Sequence, residues 1–370
     1  MPPKKILFLY LIGFFKVGGI EKFNQAFCRA LSDSPHSFRV YSAYDSRHDE
    51  RYVNNVGWKG FSGNLYFFAL QSLVAAYRSN LIVLGHINLA LLGVLIKLFF
   101  PKKQVWLIVH GVDVWFPLSF IKRKALNNAD LILSVSGFTK NKIVKLHGAL
   151  PEKIVLFPNT LDPFWEVPAT PQKNSYLANK YALPAGTTLL LTVARIQTRD
   201  QYKGYDKVLA SLHLLKQSGR LANTHYFLVG KADMKEKKRV EALVEQHGLQ
   251  SMVTLTGYVT DQELRQIYSS VDMFVMPSKG EGFGIVYIEA ASFGLPCIAG
   301  DQDGSPEALL GGKLGILVDP DNIDSIAQAI ENGPAHWDRS AIAEQAVAHF
   351  AYCHYQQRLT NLLDLVLNHN

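Results

Sequence analysis

Residues 277–296 read PSKGEGFGIVYIEAASFGLP. Two carboxylates stand in this stretch, Glu281 and Glu289, with seven residues between them and the turn Gly282-Phe283-Gly284 inside the gap. Upstream lies a short apolar run, Asp272-Met273-Phe274-Val275-Met276, whose length predicts a strand. Downstream, Ile285, Ile288, Ala291 and Ser292 recur at helical spacing and predict a helix with one buried face. The stretch therefore reads strand, glycine loop, helix. Such a loop turns backbone N–H groups outward at a helix N-terminus, which favours a phosphate. Glu281 falls in the loop and Glu289 well into the helix. Eight helical residues rise about 12 Å, whereas carboxylates that flank one glycosidic bond stand roughly 5–9.5 Å apart. The pair is expected to touch different parts of one long ligand. Its glycine-loop position also predicts that Glu281 serves chemistry more than folding.

Outward from this stretch, apolar runs alternate with amphipathic ones. In the first half strands are predicted at 5–12, 38–43, 81–85, 104–109, 131–135 and 153–157, and helices at 19–32, 65–78, 89–100, 118–128 and 138–147. Residues 157–176, FPNTLDPFWEVPATPQKNSY, carry four prolines and read as a linker. The second half restarts with a strand at 188–194. A helix at 204–217, strand 225–229, helix 236–247, strand 253–256 and helix 261–269 follow. Strand 273–276, helix 284–293 and strand 296–299 complete the pattern. Alternation of this kind means α/β architecture with parallel sheets and crossover helices. Two such units joined by a linker predict two Rossmann-like domains facing a cleft, 1–165 and 166–344.

The chain has 370 residues, 48% of them hydrophobic, which is ample for two cores. Cys28, Cys297 and Cys353 lie far apart with no metal-ligand spacing, which fits a reducing, cytoplasmic setting. The opening MPPKKILFLYLIGFF lacks a small-residue cleavage site and reads as a strand. Residues 81–100, LIVLGHINLALLGVLIKLFF, would pass for a membrane span by hydropathy. His86, Asn88 and Lys97 interrupt them, and Gly85-His86 falls where a strand would end. They are expected to be a strand and a helix, both buried between layers. Charge is uneven: residues 1–170 hold 20 Lys and Arg against 10 Asp and Glu. The whole chain carries 38 against 31, so the second part is slightly acidic. The basic half suggests an anionic partner.

The spacing of Glu281 and Glu289, the intervening Gly-Phe-Gly and the trailing GLP resemble the Glu-x7-Glu signature of retaining nucleotide-sugar glycosyltransferases of GT-B fold, family 4. Other motifs match along the chain. Gly18-Gly19-Ile20-Glu21 is similar to a family loop that meets the donor diphosphate or the acceptor. By itself it is equally a tight strand–helix junction. His110-Gly111-Val112-Asp113 follows the strand QVWLIV, at the kind of strand end where α/β folds bind ligands. It resembles an element whose histidine lies beside the transferred sugar. His86 stands at another strand end, a ligand or a structural residue. Arg195 and Lys203-Gly204 resemble a cation pair that clamps the diphosphate and neutralises the leaving group. The eight-residue separation leaves Arg199 as a rival for the arginine role. Asn159-Thr160-Leu161-Asp162 resembles a linker motif with threonine in the usual glycine position. Gly257-Tyr258-Val259 occupies the place where relatives hold the base. Gly304-Ser305-Pro306-Glu307 matches a further glycine loop.

The resemblance implies that a UDP- or GDP-sugar binds mainly to the second domain. Tyr258 and Val259 would lie near the base and Glu289 on the ribose. Arg195, Lys203 and the amides of Gly282, Phe283, Gly284 and Ile285 would hold the diphosphate, and Glu281 the sugar hydroxyls. Gly18, Gly19 and His110 would come across the cleft from the first domain. A C-terminal helix at about 340–367 is expected to cross back to that domain, a family feature. No nucleophile, Asp-x-Asp at a strand end or His/Asp cluster is evident, so no metal or cofactor is implied. The acceptor would be a saccharide or a lipid-linked molecule made at a bacterial cytoplasmic membrane. Trp115 to Lys124, WFPLSFIKRK, is either an amphipathic element for an anionic membrane or a core turn with a solvated cationic face. A sugar-nucleotide epimerase shares the fold but not these motifs. A phosphorylase would need a pyridoxal lysine and a longer chain. A nucleic-acid binder would use the basic half, but no motif for that is present.

Overall fold

A computed structural model describes residues 4–16, 18–221 and 223–368. The chain divides into two compact units, residues 1–165 with 350–370, and 166–349. Each is built on a parallel sheet, as the alternation of runs predicts.

The first unit runs β1 (Lys5–Tyr10), α1 (Gly19–Ser32), β2 (Ser37–Ser42), β3 (Trp58–Gly60), α2 (Leu65–Tyr77) and β4 (Leu81–Leu84). It continues with α3 (Ala90–Phe99), β5 (Gln104–Val109), α4 (Phe120–Asn128), β6 (Leu131–Ser134), α5 (Gly137–His147) and β7 (Ile154–Leu156). The strand order is β3-β2-β1-β4-β5-β6-β7, all parallel. Strand β4 is apolar throughout and buried, and β5 is so after Gln104, as strands covered on both faces must be. One face packs Leu7, Leu9, Ile82, Leu84 and Leu107 against α2, α3, α4 and α5. The sequence reading buried the 89–100 helix between layers. The structure corrects this: α3 covers the sheet with Leu92 and Ile96, while Leu91, Leu98 and Phe99 are exposed. The helix has no layer outside it.

The second unit runs α6 (Tyr176–Lys180), β8 (Thr188–Val193), α7 (Tyr205–Gln217), β9 (Thr224–Val229), α8 (Met234–Gln246) and β10 (Val253–Gly257). Next come α9 (Asp261–Ser270), β11 (Met273–Met276), α10 (Ile285–Ser292), β12 (Cys297–Gly300), α11 (Ser305–Ala308) and β13 (Gly315–Val318). Helices α12 (Ile323–Asn332), α13 (Arg339–Phe350) and α14 (Tyr352–Asn368) close the chain. The sheet order is β10-β9-β8-β11-β12-β13. Side-chain caps start several helices where the sequence supplies an oxygen: Asp233 accepts from the Glu236 amide and Thr260 from that of Glu263. Helix α10 differs from expectation, because it is buried nearly all round rather than on one face.

Nor is the C-terminal segment one helix. It breaks at Ala351, where the Phe350 carbonyl accepts from the Leu161 amide at 2.9 Å and from Thr160 Oγ1 at 2.8 Å. A carbonyl used in this way cannot continue the helical ladder. Thr160 thus has work of its own in the place of the usual glycine, and its backbone is not left-handed. Helix α14 then lies on the second face of the first sheet. Tyr355 stacks edgewise on Phe157 at 4.7 Å and on Phe23 at 5.9 Å, and Tyr352 donates to Asp33 at 2.8 Å.

Candidate functional site

In an open parallel sheet, ligands bind beyond the carboxyl ends of the strands where strand order reverses. In the second unit that point lies between β8 and β11. The loop after β8 carries Arg195 and the loop after β11 carries Glu281. Lys203 joins them through its neighbour. Gly204 has φ +77°, and a Cβ there would stand 2.2 Å from the Pro277 carbonyl oxygen. Only glycine allows this approach, and it sets the Lys203 segment against the end of β11. The Lys279 amide bonds the Tyr202 carbonyl at 3.0 Å and fixes the same contact.

The Lys203 ammonium and the Glu281 carboxylate form an ion pair, each with about a sixth or less of its side chain exposed. Burial pulls the lysine down, but the Glu281 charge and hydrogen bond outweigh it and its pKa is raised. The lysine therefore stays charged. Asp303 supports the glutamate from below. Its carboxylate accepts from the Glu281 amide at 2.7 Å and from the Ser305 amide at 2.8 Å, while the Glu281 carbonyl accepts from Gly304 at 2.8 Å. Burial pushes Asp303 up to about 6, against the pull of those amides, with the Glu281 charge adding to the rise. Sequence reasoning missed Asp303, although it stands immediately before the Gly304 loop it noted.

Gly284, φ +94°, opens α10, and a Cβ there would meet the Tyr287 ring at 2.4 Å. Phe283 and Ile285 flank it, both buried. Glu289 lies in the interior of α10, 1% exposed, with Tyr268 donating to it at 3.3 Å. Arg195 is 45% exposed, with Nε 3.2 Å from Asp200. Its charge acts on Lys203 and Tyr202. Arg199 instead donates to Gln197 at 3.1 Å. Tyr258 is exposed and Val259 half-buried, just past β10.

In the first unit the reversal lies between β1 and β4. Gly18 is extended at the start of α1 and Glu21 sits in the first turn, where a carboxylate suits the helix dipole. The loop before them wraps a fully buried carboxylate that the sequence did not single out. Asp45 accepts from the amides of Gly13 at 2.7 Å, Phe14 at 3.1 Å and Phe15 at 2.8 Å, and from Ser42 Oγ at 2.7 Å. Three successive amides around one anion form a nest, and Asp45 thereby fixes the β1–α1 loop.

His110 follows β5. Its amide donates to Asp113 at 3.1 Å. Nε2 lies 2.8 Å from the Gly85 carbonyl, which can only accept, so Nε2 carries the proton. Burial draws its pKa down to about 4, partly offset by that carbonyl. His86 stacks on it at 5.9 Å and accepts from the Asn88 amide at 3.0 Å. Burial draws it down to about 3, with His110 and Lys122 adding to the shift. Asp113 is pushed up to about 7 by burial against its amide bonds and the Lys122 charge. The Lys122 charge therefore acts on both His86 and Asp113. The aromatics before it divide: Trp115 packs against the core and donates to Thr139 at 3.2 Å, while Phe116 and Phe120 are exposed.

Residues 17–163 match the glycosyltransferase family 4 model and residues 176–333 the model for glycosyl transferases group 1. The chain belongs to this family of glycosyltransferases. It is 28% identical over 281 residues to the GDP-mannose-dependent alpha-(1-6)-phosphatidylinositol monomannoside mannosyltransferase of Mycolicibacterium smegmatis, covering 73% of this chain and 71% of that one. It is 28% identical over 207 residues to O-antigen chain mannosyltransferase B of Escherichia coli, 56% of this chain and 52% of the relative. The fold is GT-B: Anabaena HepE, solved with UDP and glucose, superposes with a TM-score of 0.78 over 98% of this chain and 99% of its own, at 20% identity.

Proposed function

We propose that this chain is a retaining, metal-independent hexosyltransferase that takes its sugar from a UDP- or GDP-sugar. The acceptor is a saccharide or lipid-linked molecule of the bacterial cell surface. The observation that carries the reading is the Lys203–Glu281 pair, held at the switch point of the second sheet beside the N-terminus of α10. A diphosphate entering there competes with Glu281 for the Lys203 ammonium, and Arg195 is exposed enough to turn onto it. Glu281, released, accepts hydrogen bonds from sugar hydroxyls. Fixed positive charge then stabilises the departing diphosphate as the glycosidic bond breaks. Asp303 is committed to two amides, and Glu281, once released by Lys203, is taken up by the sugar hydroxyls, so neither is a ready nucleophile. This supports attack by the acceptor on the face the diphosphate leaves. Neutral His110 supplies a polar edge for the sugar. Glu289 in the interior, the Gly18-Gly19 loop and Tyr258-Val259 keep their expected parts as ribose, phosphate and base contacts.

The GDP-mannose-dependent relative makes GDP-mannose a natural first donor, and the second relative is likewise a mannosyltransferase. Lys203 and Arg195 are the charges that neutralise the departing diphosphate in this reading. The basic first unit supports work at an anionic membrane surface on its cytoplasmic side, and no described helix is long and apolar enough to cross a membrane. The test is incubation with UDP- and GDP-sugars in turn, scoring slow donor hydrolysis and the anomer released. An inverted anomer, or no turnover of any donor, would overturn the reading. A sugar-nucleotide epimerase would convert the donor without releasing free sugar.

A further inference from the structure

We propose that the outer faces of α2, α3 and α4 form one surface that inserts into the headgroup region of an anionic bilayer. This rests on the membrane-surface reading above for the choice of occupant, and goes beyond it in placing the contact and in making it apolar. Tyr66, Leu70, Val74 and Tyr77 follow one another at spacings of four, four and three along α2, and all are exposed, Tyr66 to 81%. That spacing is one helix face. Helix α3 adds Leu91, Leu98 and Phe99, and α4 adds Phe120 and Ile121. These helices share the layer that covers one face of the sheet, with α3 packed against both neighbours. The Tyr77 ring meets Phe100 at 5.8 Å and joins the ends of α2 and α3. Scattered apolar residues on a surface need no explanation, but a continuous layer of them does.

The charge around this layer selects the occupant. Residues 65–128 contain seven Lys and Arg and a single acid, Asp113. Asp113 is half-buried and bonded to the His110 amide. Arg78, Lys102, Arg123 and Lys124 are exposed. A second copy seated on this face would bring those cations against their own duplicates, which disfavours self-association. An anionic lipid surface meets both properties: headgroups pair with the cations, and tyrosine, leucine and phenylalanine enter the interface. Lys122 is half-buried, so only Arg123 and Lys124 of the KRK run take part.

The experiment uses the full chain with vesicles of phosphatidylcholine, with and without phosphatidylglycerol. Charge alone would be screened at about 0.5 M salt; inserted side chains would not. Wild type is expected to sediment with anionic vesicles and to stay partly bound at high salt. Leu70→Glu/Tyr77→Glu is expected to bind at least about tenfold more weakly. Independently, Tyr66→Trp emission should shift to the blue when anionic vesicles are added. An unmoved tryptophan, complete release of wild type by salt, or a light-scattering dimer dissociated by Leu70→Glu/Tyr77→Glu would overturn the proposal. Donor hydrolysis, measured in parallel, should be equal in wild type and both variants. Its absence from all three would defeat the transferase reading while leaving the surface to stand or fall on the vesicle data.

Discussion

Lys203 and Glu281 illustrate how one contact can serve both folding and binding. From its glycine loop alone, Glu281 looked free to change without cost to stability. Its partner is a mostly buried ammonium, so Glu281→Gln should lower turnover by orders of magnitude and also lower the melting temperature. Lys203→Ala should weaken binding of the nucleoside diphosphate by about 1.5–3 kcal/mol, the worth of a charged hydrogen bond. Calorimetric titration of each variant with UDP and GDP checks this, and unchanged affinity would remove Lys203 from the diphosphate. Asp45 makes a different prediction. Asp45→Asn should cost about 1–3 kcal/mol, since amides of the β1–α1 loop lose an acceptor, and should raise KM. A loss of stability with normal KM would make the residue structural only. His110 has its own signature. Its folded pKa lies below the unfolded value, so it stabilises fully above pH about 6.5 and progressively less as the pH falls toward about 4. An NMR titration of the ring should inflect below pH about 5; an inflection at the ordinary histidine value would show the ring hydrated.

At the scale of elements, sequence periodicity locates most strands and helices because burial imposes it. It failed where burial took another form. Strand β3 is three residues long and holds no run to read. Strand β13 begins on a glycine and lies beyond the last predicted strand, and α12, though strongly amphipathic, follows it. Helix α10 looked one-sided because small alanines tolerate burial on any face. Among candidate site residues, those grouped in short motifs could be named from the sequence. Asp45 and Asp303 could not, because the bonds that give them their place reach amides 22 to 32 positions away, and their local bonds to Ser42 and Ser305 look like ordinary turns. Gly204 connects the two scales. Gly204→Ala forces a left-handed alanine, costing roughly 1–2 kcal/mol, and sets its Cβ against Pro277. The variant should melt lower and lose diphosphate affinity together. A normal affinity in a destabilised variant would separate the α7 junction from the site.

For the whole molecule, the transferase reading requires that chelation leave activity intact. Donor turnover in EDTA should match that in its absence, and loss restored by a divalent cation would replace Lys203 and Arg195 as the source of neutralising charge. The course of the chain has a consequence of another kind. The first unit is discontinuous: its sheet is finished by residue 156, but Tyr355, which covers Phe23 and Phe157, comes from α14. A ribosome delivers residues in order. The second unit, continuous from 166 to 349, is therefore complete while the first still lacks the cover that Tyr355 gives to Phe23 and Phe157. During synthesis the earlier half must wait for the later one, and a chaperone that holds nascent apolar surface has its natural client in Phe23 and Phe157 during that interval.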